Sequence, residues 1–222
     1  MNTVPRIDSP LNTPDAHALL QGRQSIRRYQ PAKPPGASIR AIFESVAHAP
    51  SAHNRQPWRY MVVSGPAAKE QLALAMGRRL AADRGQDGDA DGLIRQDVRR
   101  SYERITGAPA VIMVALTMAE MDRYPDERRM QAEYLMAVQS TAMATQNLLL
   151  AAHAEGLGTC WMCAPLFCPD DVKAALSLPA DWEPQGLITL GYPAQPGRNK
   201  PRKPVSEFVR FGEAEDDPCP TR

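Results

Sequence analysis

From about Arg128 to Glu155 the residue spacing predicts one long helix, closed by Gly156, and no other segment restricts the architecture as much. Over its middle, Tyr134 to Ala152, Ala, Ser, Thr, Met and Leu occupy nearly all sides. A helix apolar all round must be buried all round. The 222 residues suit one sizeable domain rather than two independent cores. Such a helix is therefore either the axis of that domain or is shared between two subunits.

The other elements arrange themselves around it. Thr13 to Gln21 reads as a short helix, with Thr13 as N-cap and Pro14 in the first helical position. Ser38 to His48 is helical, with Ile39, Ile42, Phe43 and Val46 on one face, and Pro50 ends it. Arg59 to Ser64 is a compact strand stopped by Gly65-Pro66, and a helix from about Ala67 to Arg84 follows. Gly85 to Gly92 is a solvated loop before a charged helix, about Leu93 to Thr106. Ala110 to Leu116 is apolar enough to be a buried central strand. Thr159 to Met162 and Leu187 to Leu190 complete the strands, with a short helix from Pro169 to Leu176 between them. After Gly191 the chain turns extended and basic, and residues 1–13 and the acidic tail 212–222 are expected to be disordered. This order argues for an α+β fold rather than strict β-α alternation.

A formal net charge of +1 supplies no overall pull toward nucleic acid or an anionic membrane, so neither is expected as a partner. No apolar run is long enough to span a bilayer, and the polar start of the chain lacks the apolar core of a secretory signal. A cytoplasmic protein is expected. Four cysteines, three of them at Cys160, Cys163 and Cys168 and the last at Cys219, make a poor disulfide framework for this length. Cys160, Cys163 and Cys168 fall short of a closed four-ligand set, and His17, His48, His53 and His153 show no ligand spacing, so no metal is expected.

Three stretches could carry chemistry. In R-Q-S-I-R-R-Y, alternation along an extended segment turns Arg23, Ser25 and Arg27 to one side, a usable phosphate grip. In G-R-N-K-P-R-K-P, Arg198, Lys200, Arg202 and Lys203 alternate with prolines that keep the backbone extended. Each alone reads first as a solvated basic surface, although two such clusters could close on one dianionic phosphate. The third stretch, A-P-S-A-H-N-R-Q-P-W from Ala49 to Trp58, could place small and amide groups against a planar ligand.

Taken in order, these motifs resemble the nitroreductase family. The resemblance runs from R-Q-S-I-R-R-Y through A-P-S-A-H-N-R-Q-P-W and the small-residue helix ending A-E-G-L-G-T-C-W to G-Y-P and the K-P-R-K-P run, about residues 14–211. It implies an intertwined homodimer built on a mainly antiparallel central sheet flanked by helices, with an extended C-terminal arm. It also implies FMN bound at the subunit interface, and ping-pong transfer from NADPH or NADH to a small-molecule acceptor. By this likeness Arg23 and Ser25, with Lys200 and Arg202, hold the FMN phosphate, and Arg27 reaches the pyrimidine side of the flavin. Pro50, Ser51 and Asn54 line the isoalloxazine from the partner subunit, and Trp161, Met162, Cys163 and Ala164 stand beside its reactive edge. Gln24 and Ala52 lie within the same cofactor-binding stretches, and His53 is placed near the substrate. The resemblance requires no catalytic side chain, because the protein positions and tunes the flavin. Trp161 to Val172 and Leu178 to Gly186 are similar to a narrower branch, the reductase-like domain of deazaflavin-coenzyme glutamate ligases, which suggests a bulky flavin-like substrate. Residues 77–129 are expected as the variable excursion over the pocket. Relatives that dehydrogenate a substrate or use oxygen, or a flavin carrier without NAD(P)H turnover, are the alternative functions.

Overall fold

All seven residues of A-V-I-M-V-A-L are buried, and their alternation sends apolar side chains to both faces of a strand. That strand is the middle of the fold. The structure, a computed structural model, describes residues 13–198, 200–210 and 212. Within them β1 (Trp58–Val63), β2 (Ala110–Leu116), β3 (Gly158–Met162) and β4 (Glu183–Gly191) form one sheet in the order β1-β2-β4-β3. Every neighbouring pair is antiparallel.

Helices α1 (Thr13–Gly22), α2 (Gly36–Val46), α3 (Pro66–Gln86), α4 (Asp91–Thr106), α5 (Glu127–Ala154) and α6 (Pro169–Leu176) surround the sheet. The period of two splits the core. Ile112, Val114, Ile188 and Leu190 pack with Ile42 and Val46 of α2 and with Ala144, Leu148 and Ala152 of α5. Val111, Met113 and Leu187 face the other way, toward Leu72, Ala73 and Met76 of α3, Ile105 of α4, and Val172 and Leu176 of α6. This is an α+β fold with a helical layer on each face of an antiparallel sheet.

Several expectations change in detail. β4 covers nine residues instead of Leu187 to Leu190, because Pro184 and Gly186 weaken the strand pattern in the sequence. The structure accommodates Pro184 at a bulge. Val114 pairs with Gly186 and Ala115 with Pro184, leaving Gln185 as the extra residue. The loop expected from Gly85 shortens, since α3 continues to Gln86. The interval 77–129 contains the central strand β2 and all of α4, whose Ile105 is fully buried in the core.

α5 is capped by Asp126, whose carboxylate accepts the backbone N–H of Arg129 at 3.0 Å, and it stops before Gly156, which is left-handed with φ 74. One stripe of it is buried: Glu133, Ala137, Ser140, Thr141, Ala144, Thr145, Leu148 and Ala152. On the other side Leu135 is 49% exposed and Met143 41%. A single chain thus covers only half of a helix whose sequence asks for burial on all sides. Among the described residues no helix is long and apolar enough to cross a membrane. Most of the N-terminal stretch, and 213–222 of the tail, lie outside the described residues.

Candidate functional site

β3 is an edge strand, and an edge offers unpaired backbone donors and acceptors. The basic segment after α1 takes them up. Ser25 bridges in parallel to Thr159, and the N–H of Ile26 donates to the Thr159 carbonyl at 2.8 Å. Its far end pairs with the chain leaving β4. Gln30 N–H donates to the Tyr192 carbonyl at 2.9 Å, and Ala194 N–H to that of Arg28 at 3.0 Å. The Tyr29 hydroxyl donates to the Ile26 carbonyl at 2.6 Å and lies 2.7 Å from the Thr189 hydroxyl. Burial pushes this phenol well above the ordinary tyrosine range, so it remains a donor and locks the segment down.

The lock depends on absent side chains. A Cβ at Gly158 would sit 2.7 Å from Ile26, and one at Gly197 would sit 2.5 Å from Gln24 Oε1. The start of the basic arm is therefore packed on the basic segment, more than 170 positions away in sequence. Between them opens a cavity of about 250 Å³, lined among others by Arg23, Gln24, Ile26, His153, Thr159 and Gly197. The alternation expected for this segment does not extend cleanly to Arg23, which lines the cavity with Gln24 and Ile26. Arg23 follows directly on Gly22, the last residue of α1, where extended backbone only begins. Arg23 and Ser25 are half-buried, while Arg27, Lys200 and Arg202 are exposed. Among the described residues none of these four cations makes an ion pair, whereas Lys203 pairs with Glu207 at 3.1 Å.

At the other end of β3, Trp161 and Met162 are half-buried and lead to exposed Cys163 and Ala164, the latter opening a 3₁₀ turn, Ala164–Phe167. The indole of Trp161 packs over Gly186 of β4, so close that a Cβ there would meet it at 2.2 Å. Its Nε1–H donates to Cys163 Sγ at 2.9 Å. The clustered thiols are free and engage separate partners: Cys160 reaches the Trp161 carbonyl and Cys168 that of Ala164. Burial, with Asp171 adding repulsion, pushes the Cys168 thiol up to about 11. A thiol reagent at pH 8 should therefore modify Cys163 at least about tenfold faster than Cys168, because Cys168 is buried and held as the thiol while Cys163 is exposed. Peptide mass mapping of the folded protein reads this ratio, and equal rates would contradict the geometry.

The third stretch contains Ala52–Asn54, a 3₁₀ turn with left-handed backbone. His53 (φ 50), Asn54 (φ 55) and Gln56 (φ 50) each lie in a region costing roughly 1–3 kcal/mol for a side-chain-bearing residue, least for Asn. Such a turn persists only when its surroundings over-determine it. Ser51 Oγ accepts the Gln56 N–H at 3.1 Å, Ser140 Oγ of α5 accepts the Ala52 N–H at 3.3 Å, and Arg55 pairs with Asp122 at 2.5 Å. Pro50, His53 and Asn54 are exposed, and Ser51 and Ala52 half-buried. Nothing in the sequence marks Ser140 or Asp122 as supports of this turn, because both act through long-range contacts.

One chain does not bring all these residues together. Arg23 to Arg27, Trp161 to Ala164 and the start of the arm meet at the β3 edge. Pro50 to Asn54 instead leads into β1, the opposite edge, three strand spacings or roughly 14 Å away across the sheet.

Comparison with known proteins follows the same lines. The family model described as "Nitroreductase family" matches residues 20–192. The chain is 29% identical to nitroreductase NfnB of Mycolicibacterium smegmatis, covering 88% of this chain and 92% of that protein. The structure of NfnB with NADPH superimposes with a TM-score of 0.68, at 27% identity over 89% of this chain and 98% of that one. A protein from Thermus thermophilus described as NADH dehydrogenase is 27% identical, over 91% of this chain and 98% of its own. A nitroreductase structure from Desulfovibrio desulfuricans in complex with FMN matches with a TM-score of 0.68 and 26% identity, over 96% of this chain and all of that one. The fold, the edge segment and the match across most of the chain lead to one conclusion: this protein belongs to the nitroreductase family.

Proposed function

We propose that this protein is an FMN-dependent oxidoreductase. It takes hydride from NADPH or NADH and passes it, in alternating half-reactions, to an aromatic, nitroaromatic, quinone or bulky flavin-like acceptor. The observation that carries this reading is the β3 edge: Arg23, Ser25 and Arg27 lie on the segment joined to it, no acidic partner of these arginines occurs among the described residues, and Gly197, where the arm toward Lys200 and Arg202 starts, packs on Gln24. These groups fit FMN. A dianionic phosphate would neutralise charges that have no acidic partner among the described residues, and an isoalloxazine would find an aromatic and sulfur-lined edge. The solved relatives with FMN and with NADPH support the same cofactor pair.

When bound, FMN supplies a ring system that accepts and returns a hydride. The chain's own residues do the rest. Arg23 and Ser25, with Lys200 and Arg202 from the arm and Gln24 at the cavity wall, hold the phosphate. Arg27 sets positive charge by the pyrimidine side, which favours electron uptake there. Trp161, Met162, Cys163 and Ala164 flank the reactive edge. Pro50, Ser51, Ala52 and Asn54 come from a second copy, with His53 turned to the substrate, because one chain holds them at the opposite sheet edge.

The test is spectroscopic. The purified protein should be yellow, release FMN on denaturation, bleach with NADPH or NADH under nitrogen, and recolour with a nitroarene or quinone. A colourless protein that cannot be reconstituted overturns the reading, and a yellow protein that neither nicotinamide bleaches favours a dehydrogenase or oxygen-using relative. Within it, the double variant Lys200→Ala/Arg202→Ala should hold FMN at least about 100-fold more weakly, since each charged hydrogen bond contributes about 1.5–3 kcal/mol. Titration of flavin fluorescence measures this, and unchanged affinity removes the arm from the phosphate.

A further inference from the structure

The left-handed turn is held from an unexpected depth. Glu133, on the buried stripe of α5, is 1% exposed, and its Oε1 accepts the backbone N–H of Asp122 at 3.1 Å. Its other oxygen, Oε2, is buried without a hydrogen-bond partner. The Asp122 carboxylate in turn accepts from Arg55 Nη2 at 2.5 Å, and Arg55 stands between the left-handed residues Asn54 and Gln56. The loop carrying Asp122 is fixed on both sides. Thr117 N–H donates to the Pro57 carbonyl at 2.9 Å, and Met121 packs with Leu116 and Ala137.

A carboxylate enclosed in an apolar cluster is costly unless its position is needed. Apolar side chains fill this part of α5 well: Ala137 lies one turn on, and Met118, Met121 and Met136 pack nearby. Leucine or methionine at 133 would serve stability, but neither could accept the Asp122 N–H. Exposed ion pairs such as Arg55–Asp122 are weak by themselves, because both side chains must be ordered against solvent. Here Glu133 orders the Asp122 backbone from inside, so the pair begins with one partner already in place.

We infer that Glu133 is a positioning residue of the flavin site: through Asp122 and Arg55 it holds the turn at His53 to Gln56 in the shape that lines the flavin. This rests on the proposed function, in which that turn serves the isoalloxazine. The turn-holding part stands on geometry alone.

Two measurements separate the inference from its premise. The first is limited trypsin digestion of the full-length protein, with the fragment beginning at Gln56 identified by N-terminal sequencing. Wild type and Glu133→Gln, which keeps an acceptor oxygen for Asp122 N–H, should resist cleavage after Arg55. Glu133→Ala and Asp122→Ala should be cut there at least about tenfold faster, the factor expected for loss of a hydrogen bond to a charged group. The second is the visible circular dichroism of bound FMN with the KM and kcat for a quinone. Glu133→Ala should change the flavin signal and raise KM, and Glu133→Gln should restore both.

If Glu133→Ala does not fold, Asp122→Ala carries the same prediction from a more exposed position. Equal digestion of wild type, Glu133→Ala and Asp122→Ala overturns the inference. So does Glu133→Gln behaving like Glu133→Ala, since the relay then needs more than an acceptor oxygen. Faster cleavage in a protein that never binds FMN would keep the relay and refute the flavin reading instead.

Discussion

Changing Leu135 and Met143 together to glutamate is expected to leave a folded monomer that does not retain FMN. Both side chains stand on the outer face of α5, 49% and 41% exposed in one chain, while the stripe opposite them is packed on the sheet. If this face is the centre of a dimer, each substitution removes about 1.5–3 kcal/mol of apolar burial and puts a carboxylate where water is excluded. The four charges in a symmetric interface would raise the dimer dissociation constant by well over about 1000-fold. The site would fail with the interface, because the turn at Pro50 to Asn54 and the basic segment occupy opposite edges of one sheet. Light scattering and flavin absorbance read the two effects on one sample. A dimer that persists with FMN places the interface elsewhere, and a monomer that still binds FMN makes the site a single-chain one.

The second large effect is expected at Gly158, on the wall of the cavity beside the basic segment. A Cβ there would lie 2.7 Å from Cβ and Cγ1 of Ile26 and 2.8 Å from its Cγ2. Ile26 is 7% exposed and its N–H is bonded to Thr159, so neither side can yield without breaking the edge bridge. Overpacking of this kind costs about 1–3 kcal/mol. The cheapest relief is to lift Arg23 to Arg27 off β3, which separates the phosphate grip from Trp161. Gly158→Val should therefore lower FMN affinity by about 100-fold or more while the melting temperature falls by only several degrees. Adding Ile26→Ala should recover part of the affinity. Gly85→Ala is the control: a Cβ there meets nothing within 4 Å, and the position lies in a helix, so it should be neutral or slightly stabilising. Affinity unchanged in Gly158→Val would mean that the edge segment is held by something other than close approach.

How much of this was legible beforehand varies with the range of the interaction. α5 differs from its expected span by one residue at each end, because its caps are local: Asp126 bonds Arg129 three positions on, and Gly156 is needed for a positive φ. β2 was equally plain, since seven consecutive apolar residues bounded by Pro109 leave little choice. β4 was read four residues short at its start because a proline and a glycine usually mark a strand's end, and only the bulge opposite Ala115 shows how they fit. Within 77–129, which family likeness marks as the excursion over the pocket, β2 was legible from its own apolar run, whereas the burial of Ile105 in a charged helix was not.

For the site, the sequence displayed the residue types but not their grouping. R-Q-S-I-R-R-Y, A-P-S-A-H-N and K-P-R-K-P were visible as motifs, and family likeness supplied their roles. The left-handed turn was not visible, because Gln56 has no preference for positive φ, the tendency of His53 and Asn54 toward it is weak, and the contacts that impose it come from Ser140 and Asp122. Glu133 was hidden for the same reason. A glutamate in a charged helix start reads as a solvated residue until the fold encloses it.

By itself, then, the sequence determined the elements, their order, a helix apolar on nearly all sides, and the membership that the motifs announce. Those properties are local, set by side-chain period, capping and turn chemistry within a few residues. Only the tertiary structure decided that the basic segment completes the β3 edge, that Gly197 brings the arm against Gln24, and that Pro50 to Asn54 lies at the other edge. Those are consequences of strand order and close packing between residues up to about 170 positions apart. The physics of α5 joins the two accounts: its sequence asks for burial on every side, and the fold supplies it on one.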